Sequence, residues 1–365
     1  MASFDEVLKD CTKLGTKIPT NEYLENGKYP IIDQGQNDIA GYYDSDDGLF
    51  EDVPTIVFGD HTRVVKYVDK PCFLGADGVK LLCPLDKDIN CKYLFYQLSC
   101  ADIPNTGYNR HFKWVKALDF KIPSSDEQNH VVEVLDKVTE LIFLRKQQLA
   151  KLDELVKARF VEMFGDLVVG DKIQTSKKKI GEIASVTKLA GFEFTKYIQY
   201  KEHGDIIMLR GLNCKQGKLI LDDVKWIDRE TSDLLPRSKL YYGDILMTYA
   251  GTIGDVAMVD ENDKYHLAPN VAKVSINNKK AYNPIFLMYL FLYSNDYIMR
   301  FASQVAQASI NMEKIRNFEY YFPDVTFQNQ FATFVARIDQ QKQTVQQSLE
   351  KLELMKKALM QEYFG

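Results

Sequence analysis

Polar side chains that suit contact with nucleic acid cluster in two stretches of the first third of the chain. One follows an apolar run and contains His61, Thr62 and Arg63. The other, residues 105–121, has Arg110 and three lysines against a single acidic residue, together with tyrosine, asparagine and histidine. Such a mixture can bond both base edges and phosphates. The candidate residues are His61, Thr62, Arg63, Tyr108, Asn109, Arg110, His111 and Lys113.

A similar set of polar residues recurs in the second half of the chain. Residues 307–316 lie 200 positions after residues 107–116 of the second stretch. The turn at 248–252 matches the first stretch, which contains His61. For any one of these residues a solvated loop is an equally good interpretation, but the recurrence favours binding by the clusters. The candidates here are Arg210, Asn213, Thr248, Tyr249, Gln307, Ser309, Asn311 and Lys314.

None of the familiar catalytic motifs occurs in the sequence. Residues 211–218 resemble a phosphate-binding loop, but five residues separate the glycines and Leu219 stands where Ser or Thr would ligate magnesium, so we predict a turn. No G-x-G-x-x-G follows a strand, and neither G-x-S-x-G nor H-E-x-x-H is present. A methyl-transfer site would need a glycine-rich cofactor loop, which is also missing. We therefore expect a protein that is not an enzyme and holds no cofactor.

Composition excludes several other classes. The 365 residues are enough for two domains, with 45% hydrophobic and 27% charged residues as in ordinary globular proteins. A net charge of −5 does not favour nucleic-acid binding by bulk positive charge, although a basic face remains compatible with it. No apolar run approaches the roughly 18–20 residues of a membrane span. Six cysteines without C-x-x-C and five histidines predict reduced thiols in the cytoplasm and no metal site.

The elements that must position the loops are duplicated. Segment 152–165 recurs as 352–365, an offset of 365 − 165 = 200, and the register runs back without a gap to Pro123 and Pro323. Apolar residues in both copies alternate at spacings of four and three, which is typical of heptads. Both segments therefore predict long helices that pack on each other or on a partner. A single amphipathic helix in each domain core remains an alternative.

Two β-rich segments, each with one apolar helical stretch, surround the first helix. The strand-type runs are 29–32, 55–58, 64–68, 79–82, 206–209, 244–249 and 271–276, and the helical stretches are 92–99 and 284–293. Residues 176–179 are expected to form a solvated linker. The predicted class is α+β, with two α/β domains alternating with two long helices. The predicted boundaries are 1–123, 124–165, 166–323 and 324–365.

Several stretches are similar to one known family. They are YPIIDQGQ at 29–36, FGDHTR at 58–63, GDIL at 243–246, GTIG at 251–254 and the Phe-Gly that ends each long helix. In this order, and with the duplicated plan, the chain resembles the specificity (S) subunit of type I restriction–modification systems over essentially all of its length.

The resemblance implies a function as well as a fold. Each globular part would be a target-recognition domain that reads one half of a bipartite, asymmetric site in double-stranded DNA. The helices would pair as an antiparallel coiled coil that spaces the two half-sites. Two methyltransferase (M) subunits would dock on this scaffold and restriction (R) subunits would join through them, and these partners would hold the catalytic sites and their cofactors. The residues expected to bind partners are Phe160, Met163, Phe164, Met360, Tyr363 and Phe364.

Two alternatives remain open from the sequence. One is a coiled-coil scaffold without its own DNA readout, which would not need clustered Arg, Asn and Tyr loops. The other is the specificity module of a self-contained restriction–methylation enzyme, which would need the cofactor loop that is missing.

Overall fold

The chain divides into two compact units. The computed structural model describes residues 1–75, 77–173, 175–303 and 308–365. Unit 1 comprises Met1–Gln148 and Val345–Gly365, and unit 2 comprises Leu149–Thr344. Each unit therefore contains a β-rich head and one part of each of two long helices. In the described ranges, we find no helix that has both the length and the apolar character needed to cross a membrane.

The head of unit 1 is built from short strands and helices. Its strands are β1 (Ala2–Ser3), β2 (Leu8–Asp10), β3 (Tyr29–Ile32), β4 (Gly41–Tyr43), β5 (Thr55–Gly59), β6 (Val65–Val68), β7 (Phe73–Leu74), β8 (Val79–Pro84) and β9 (Asp119–Phe120). Its helices are α1 (Phe4–Val7), α2 (Cys91–Cys100), α3 (Phe112–Val115) and the first part of α4 (Ser125–Phe164).

Two sheets form the centre of this head. The larger is antiparallel with strand order β2-β8-β5-β6, and the smaller has the order β4-β3-β7, in which β3 is antiparallel to β4 and parallel to β7. Every residue of β5 is buried, and Ile56, Val57 and Phe58 pair with β8. Such β-branched and aromatic runs suit a central strand covered on both faces.

Unit 2 contains the same kinds of element and a small additional hairpin. Its strands are β10 (Lys177–Lys179), β11 (Ala184–Lys188), β12 (Ile206–Leu209), β13 (Cys214–Lys215), β14 (Lys218–Leu219), β15 (Lys225–Ile227), β16 (Ile245–Thr248), β17 (Val256–Met258), β18 (Tyr265–Leu267), β19 (Val271–Ile276) and β20 (Glu319–Tyr321). Its helices are α5 (Ile180–Ile183), α6 (Gly191–Tyr197), α7 (Arg229–Asp233), α8 (Pro284–Tyr293), α9 (Asn295–Met299), α10 (Met312–Arg316) and part of α11 (Val325–Phe364).

The strand topology of unit 2 repeats that of unit 1. The larger sheet has the order β11-β19-β16-β17 and the smaller one β15-β12-β18, with β12 antiparallel to β15 and parallel to β18. The additional hairpin β13–β14 turns at Gln216 and Gly217, both at positive φ, so the predicted turn in this segment is confirmed. In contrast, the predicted linker at 176–179 is wrong, because Lys177–Lys179 form β10 and pair with β20.

The long helices pack together within each unit. In unit 1, Val131 and Leu135 of α4 join Tyr93 and Tyr96 of α2 in a cluster that also includes the end of α11. In unit 2, Val156 and Phe160 of α4 share a core with Phe331, Val335 and Ile338 of α11.

Two basic residues of the long helices have polar partners on the opposite helix. Nε of Arg145 donates to Oγ of Ser348 at 3.2 Å, and Nζ of Lys342 lies 2.6 Å from the carboxylate of Asp153. These contacts explain how the apolar stripes tolerate charge. The first helix ends at Gly165, whose φ of +64° is the left-handed conformation that terminates many helices.

Candidate nucleic-acid interface

In unit 1 the two predicted polar stretches lie side by side. The loop between β5 and β6 carries His61, and the loop before α3 carries Tyr108. Their rings stack with centroids 4.7 Å apart and planes 11° from parallel. Tyr108 is 88% exposed. Nδ1 of His61 lies 3.2 Å from the carbonyl oxygen of Asn109, and since a carbonyl only accepts, Nδ1 carries the proton. Nε2 of the neutral ring is then an acceptor.

His111 holds these two loops together from the inside. Its backbone N–H and its Nδ1 both donate to the carbonyl oxygen of Asp60, at 2.8 and 3.0 Å. Its Nε2 accepts the backbone N–H of Thr106 at 3.3 Å, and the carboxylate of Asp60 accepts the N–H of Phe112 at 2.8 Å. The ring is fully buried. Both ring nitrogens are therefore used inside the protein, and the structure does not place this predicted contact residue at the surface.

A third loop, which the sequence analysis did not single out as functional, is bonded to the His61 loop through Gln34. Its side-chain oxygen accepts the N–H of His61 at 3.2 Å, and its amide donates to the carbonyl of Asp77 at 3.1 Å. The hydroxyl of Thr62 donates to the carbonyl of Gln34 at 2.7 Å. The only signal for this role was the family-like stretch 29–36 that contains Gln34.

The remaining candidates of unit 1 differ in how free they are. The guanidinium of Arg63 donates to the carbonyl of Ile103 at 3.0 Å, and its φ is +62°, so its side chain helps to fix the loop. Arg110 is exposed, and within the described ranges its side chain has no hydrogen bond or ion pair. Lys113 is exposed, with Nζ 5.2 Å from the Trp114 ring. Arg110 and Lys113 therefore join Tyr108, Asn109 and His61 on the accessible side of the loops.

Unit 2 brings its equivalent loops together in the same way. The backbone of Ala250, in the loop after β16, pairs with Ser309 in the loop before α10, and the N–H of Ile310 donates to the carbonyl of Tyr249 at 2.9 Å. Nζ of Lys188 lies 5.4 Å from the Tyr249 ring. Gln307 lies outside the described residues. Tyr249 and Ser309 are half-buried at the meeting of the two loops.

Two predicted contact residues of unit 2 are fully buried and serve its turns. The amide of Asn213 donates to the carbonyls of Ile220 and Asp223, both at 2.8 Å. The hydroxyl of Thr248 accepts the N–H of Asp255 at 3.0 Å. Neither side chain reaches the surface. The sequence therefore located these loops but did not distinguish the residues that build them from those that face outwards.

The other candidates of unit 2 have partners within the unit. The guanidinium of Arg210 donates to the carboxylate of Asp223 at 2.8 Å. Nζ of Lys314 donates to the carbonyl of Phe301 at 2.8 Å, and the side chain of Asn311 caps α10 by accepting the N–H of Lys314 at 2.9 Å. Asn311 itself is exposed.

The six residues that were expected to bind partners all pack within their own unit. In unit 2, Phe160 and Phe164 are buried, their ring centroids lie 5.9 and 5.0 Å from that of Phe286, and Met163 packs against the same core. In unit 1 the Phe364 ring lies 5.3 Å from that of Tyr93. The remaining two, Met360 and Tyr363, pack against the same cluster.

Burial shifts the pKa of two titratable side chains of unit 2, Cys214 and His266. Burial raises the pKa of the Cys214 thiol to about 12, so this cysteine is not a ready nucleophile. Burial lowers the pKa of His266, although the carbonyls of Leu267 and Leu235 oppose the shift. Within the described part of the chain, no three His, Cys, Asp or Glu side chains are grouped so as to hold a metal ion.

A family model described as the type I restriction modification DNA specificity domain matches residues 5–154 and 174–354. The chain belongs to this family. It is 27% identical over 138 residues to the EcoBI specificity subunit of Escherichia coli, and 23% identical over 137 residues to the EcoR124I/EcoR124II specificity subunit of the same species. These alignments cover 37% and 34% of this chain. They span only 28% and 34% of the two relatives.

The fold agrees with this membership. The structure is similar to the crystal structure of the type I restriction–modification S subunit from M. genitalium, with a TM-score of 0.57 and 17% identity. The match covers 100% of this chain and 95% of the other. The M. genitalium subunit and this chain therefore share a fold over their length.

Proposed function

We propose that this chain is the sequence-specific DNA-recognition subunit of a type I restriction–modification complex, and that each head reads one half of a bipartite, asymmetric site. The main support for the proposal is that the two units have the same scaffold but different side chains on their paired loops. Strand order and the anchoring of the helices recur in both units, whereas the paired loops carry different side chains: His61, Tyr108 and Arg110 in unit 1, Tyr249 and Ser309 in unit 2. Two similar scaffolds with different readers suit an asymmetric site.

We further propose that residues 1–123 and 166–323 are the target-recognition domains and that 124–165 and 324–365 form an antiparallel coiled-coil spacer. The packing of α4 on α11 within each unit supports the pairing. So do the cross-helix contacts Arg145–Ser348 and Lys342–Asp153. Such a spacer would fix the distance between the two half-sites, as protein geometry does in other two-headed DNA readers.

The partners follow from the family. We propose double-stranded DNA, two M subunits bound to the duplicated scaffold and R subunits joined through them, all in the cytoplasm. Methylation and cleavage would reside in those subunits, and this chain would contribute recognition and assembly alone. The modest net charge of −5 fits a subunit that shares its grip on DNA with partners.

The test is reconstitution of the complex. The full chain is co-expressed with the M subunit of the same system, and binding to a randomised pool of duplexes is followed by selection and sequencing. We expect the complex to enrich a site of two fixed parts separated by a gap of constant length. A complex that forms but enriches no sequence would overturn the recognition role, and a chain that fails to bind M would overturn the scaffold role.

A further inference from the structure

A cavity of about 650 Å³ opens in the head of unit 2, among the loops of the proposed DNA-reading face. Arg210, Ala250 and Asn270 are part of its wall. Arg210 directly follows the carboxyl end of β12, which is parallel to β18. Ligands often bind in the crevice outside the carboxyl ends of neighbouring parallel strands. The volume also lies within the range of small-molecule sites.

Unit 1 carries a bonded side chain at the equivalent position of its smaller sheet. Strands β3 and β7 pair as β12 and β18 do, and the last pair is Ile32↔Leu74 in one unit and Leu209↔Leu267 in the other. In unit 1, Gln34 lies two residues after the end of β3, and its side chain bonds to the surrounding loops.

Gly211 stands at the matching position in unit 2. A Cβ on Gly211 would meet only Cγ2 of Thr248, at 3.5 Å. Unit 2 therefore has no side chain at the position from which Gln34 bonds to the loops of unit 1.

The wall of the cavity combines aromatic rings with unpaired polar groups. The rings of Phe194 and Tyr200 lie 5.6 Å apart, and Tyr200 is 40% exposed. Nη2 of Arg210 donates to Asp223 at 2.8 Å, and in the part of the chain that the structure describes its Nη1 has no hydrogen-bond partner. Within the described ranges, the carboxylate of Asp255 has neither a hydrogen bond nor an ion pair. Lys215, also in the wall, is exposed. A free guanidinium donor and a free carboxylate beside aromatic rings indicate a planar ligand with both donors and acceptors.

Guanine matches this set of groups better than the other bases. Its N1–H and N2–H are adjacent donors that one carboxylate can accept together, and its O6 and N7 accept from an arginine. Adenine, cytosine and thymine each place an acceptor beside the donor that would face the carboxylate, and that acceptor would be repelled. Aromatic side chains stack on any base, so the polar groups decide the choice.

We propose that the cavity of unit 2 holds a guanine base, with Asp255 accepting from N1–H and N2–H, Arg210 donating to the acceptor edge and Lys215 near the phosphate. The source of the base rests on the proposed function: a guanine turned out of the stack in the target DNA. A free guanine nucleotide presents the same chemistry and is separated from it by the second experiment below.

The first experiment measures nucleotide binding to the full chain. Saturation-transfer NMR with dGMP, dAMP, dCMP and dTMP as probes should show a preference for dGMP. The D255N variant should weaken dGMP binding roughly tenfold to a hundredfold, because a charged acceptor is lost. It should bind xanthosine 5′-monophosphate instead, since an amide offers one acceptor to N1–H and one donor to O2. The matched control D222N changes an exposed carboxylate of the same unit and should bind dGMP normally.

A second variant tests the cavity without touching its polar groups. G211Q introduces the residue that unit 1 carries at this position, Gln34, and should abolish dGMP binding by placing a side chain in the cavity. Equal binding of all four nucleotides, identical behaviour of D255N and D222N, or normal dGMP binding by G211Q would each overturn the proposal. If G211Q does not fold, the comparison of D255N with D222N still decides it.

The second experiment identifies the source. The complex with M is mixed with duplexes in which each guanine of the site is replaced in turn by the fluorescent guanine analogue 6-methylisoxanthopterin. If the fluorescence rises at one position of the site and G211Q abolishes this rise, the ligand is a base of the DNA. If dGMP binds but no position shows a rise, the ligand is a free nucleotide instead. Sequence-selective binding is measured on the same samples. Retained selectivity without guanine binding overturns the cavity proposal alone, whereas lost selectivity of the wild-type complex overturns the recognition function.

Discussion

The backbone N–H of Asn90 donates to the side-chain oxygen of Gln128 at 2.9 Å. The side-chain amide of Gln128 donates in turn to the carbonyl of Pro123 at 2.9 Å. The carboxamide thus joins the start of α2 to the start of α4. Unit 2 repeats the arrangement, with Asn283 donating to Gln328 at 2.9 Å and Gln328 donating to the Pro323 carbonyl at 2.8 Å. This clamp explains why Gln128 recurs as Gln328, at an offset of 328 − 128 = 200.

Removal of the clamp should loosen the head of unit 1 from its helix. Gln128 is only 2% exposed, so Q128A leaves a partly buried N–H and a partly buried carbonyl without this partner, at a cost of about 1–3 kcal/mol. Chemical denaturation followed by circular dichroism measures the loss. The control Q147A removes the same side chain from an exposed site on α4 and should change stability by less than about 0.5 kcal/mol. Equal effects of the two substitutions would contradict the clamp.

The elements with local sequence patterns were the ones that could be predicted. The strand-type runs 29–32, 206–209 and 271–276 have the same bounds as β3, β12 and β19, and the stretch 284–293 is α8. Apolar and β-branched runs between turn residues determine such elements locally. Strand β10 was missed because all three of its lysines are exposed and its pairing partner, β20, is distant in the sequence.

The sequence predicted which loops form the candidate site, but not which of their side chains face outwards. Asn, Thr and His were chosen because they bond base edges, yet the same groups satisfy buried backbone atoms, and Asn213, Thr248 and His111 do so here. No short-range pattern separates the two uses, since the partners are brought by the fold. The role of each remaining loop residue in DNA contact stays a prediction.

Arg110→Ala should weaken recognition without weakening the fold. The side chain is exposed beside the His61–Tyr108 stack, so its loss costs no packing. If it bonds a guanine edge, specific binding by the complex with M should fall by about 1–3 kcal/mol, and the preference at one base pair should relax. Titration of specific and random duplexes at one salt concentration measures both.

The control for R110A is K87A. Lys87 is exposed and follows one end of β8, whereas the loops lie at the other end of this strand. We expect it to leave both affinities unchanged. Parallel loss of specific and random binding in R110A would assign Arg110 to a phosphate instead, and no loss in either would remove it from the interface.

Substitution of the two histidines in the paired loops should have different effects on stability and on DNA affinity. His111→Ala removes a fully buried ring that bonds Asp60 and Thr106, and should lower the free energy of unfolding by about 2–4 kcal/mol through lost hydrogen bonds and a cavity. His61→Ala removes a partly exposed ring and should leave stability within about 1 kcal/mol while lowering DNA affinity of the complex. Denaturation and DNA titration of both variants test this, and a stable H111A would show that the buried bonds do not hold the loops.

The stability of unit 2 should fall in mild acid because of His266. Burial lowers the pKa of this histidine below its usual 6.5. The folded state therefore favours the neutral ring, whereas the unfolded chain takes up a proton at about pH 6.5. The stabilisation is complete above that pH and is lost as the pH falls towards the lower value of the folded state.

The measurement is the denaturant midpoint of the full chain between pH 5 and pH 7.5, with the unit 2 transition followed through Trp226, beside β12. H266Q removes the titrating ring and should flatten the pH dependence over this window, at the cost of a lower midpoint at neutral pH. The control H203Q replaces an exposed histidine of the same unit and should retain the wild-type slope. A slope that survives in H266Q would assign the acid sensitivity to other groups.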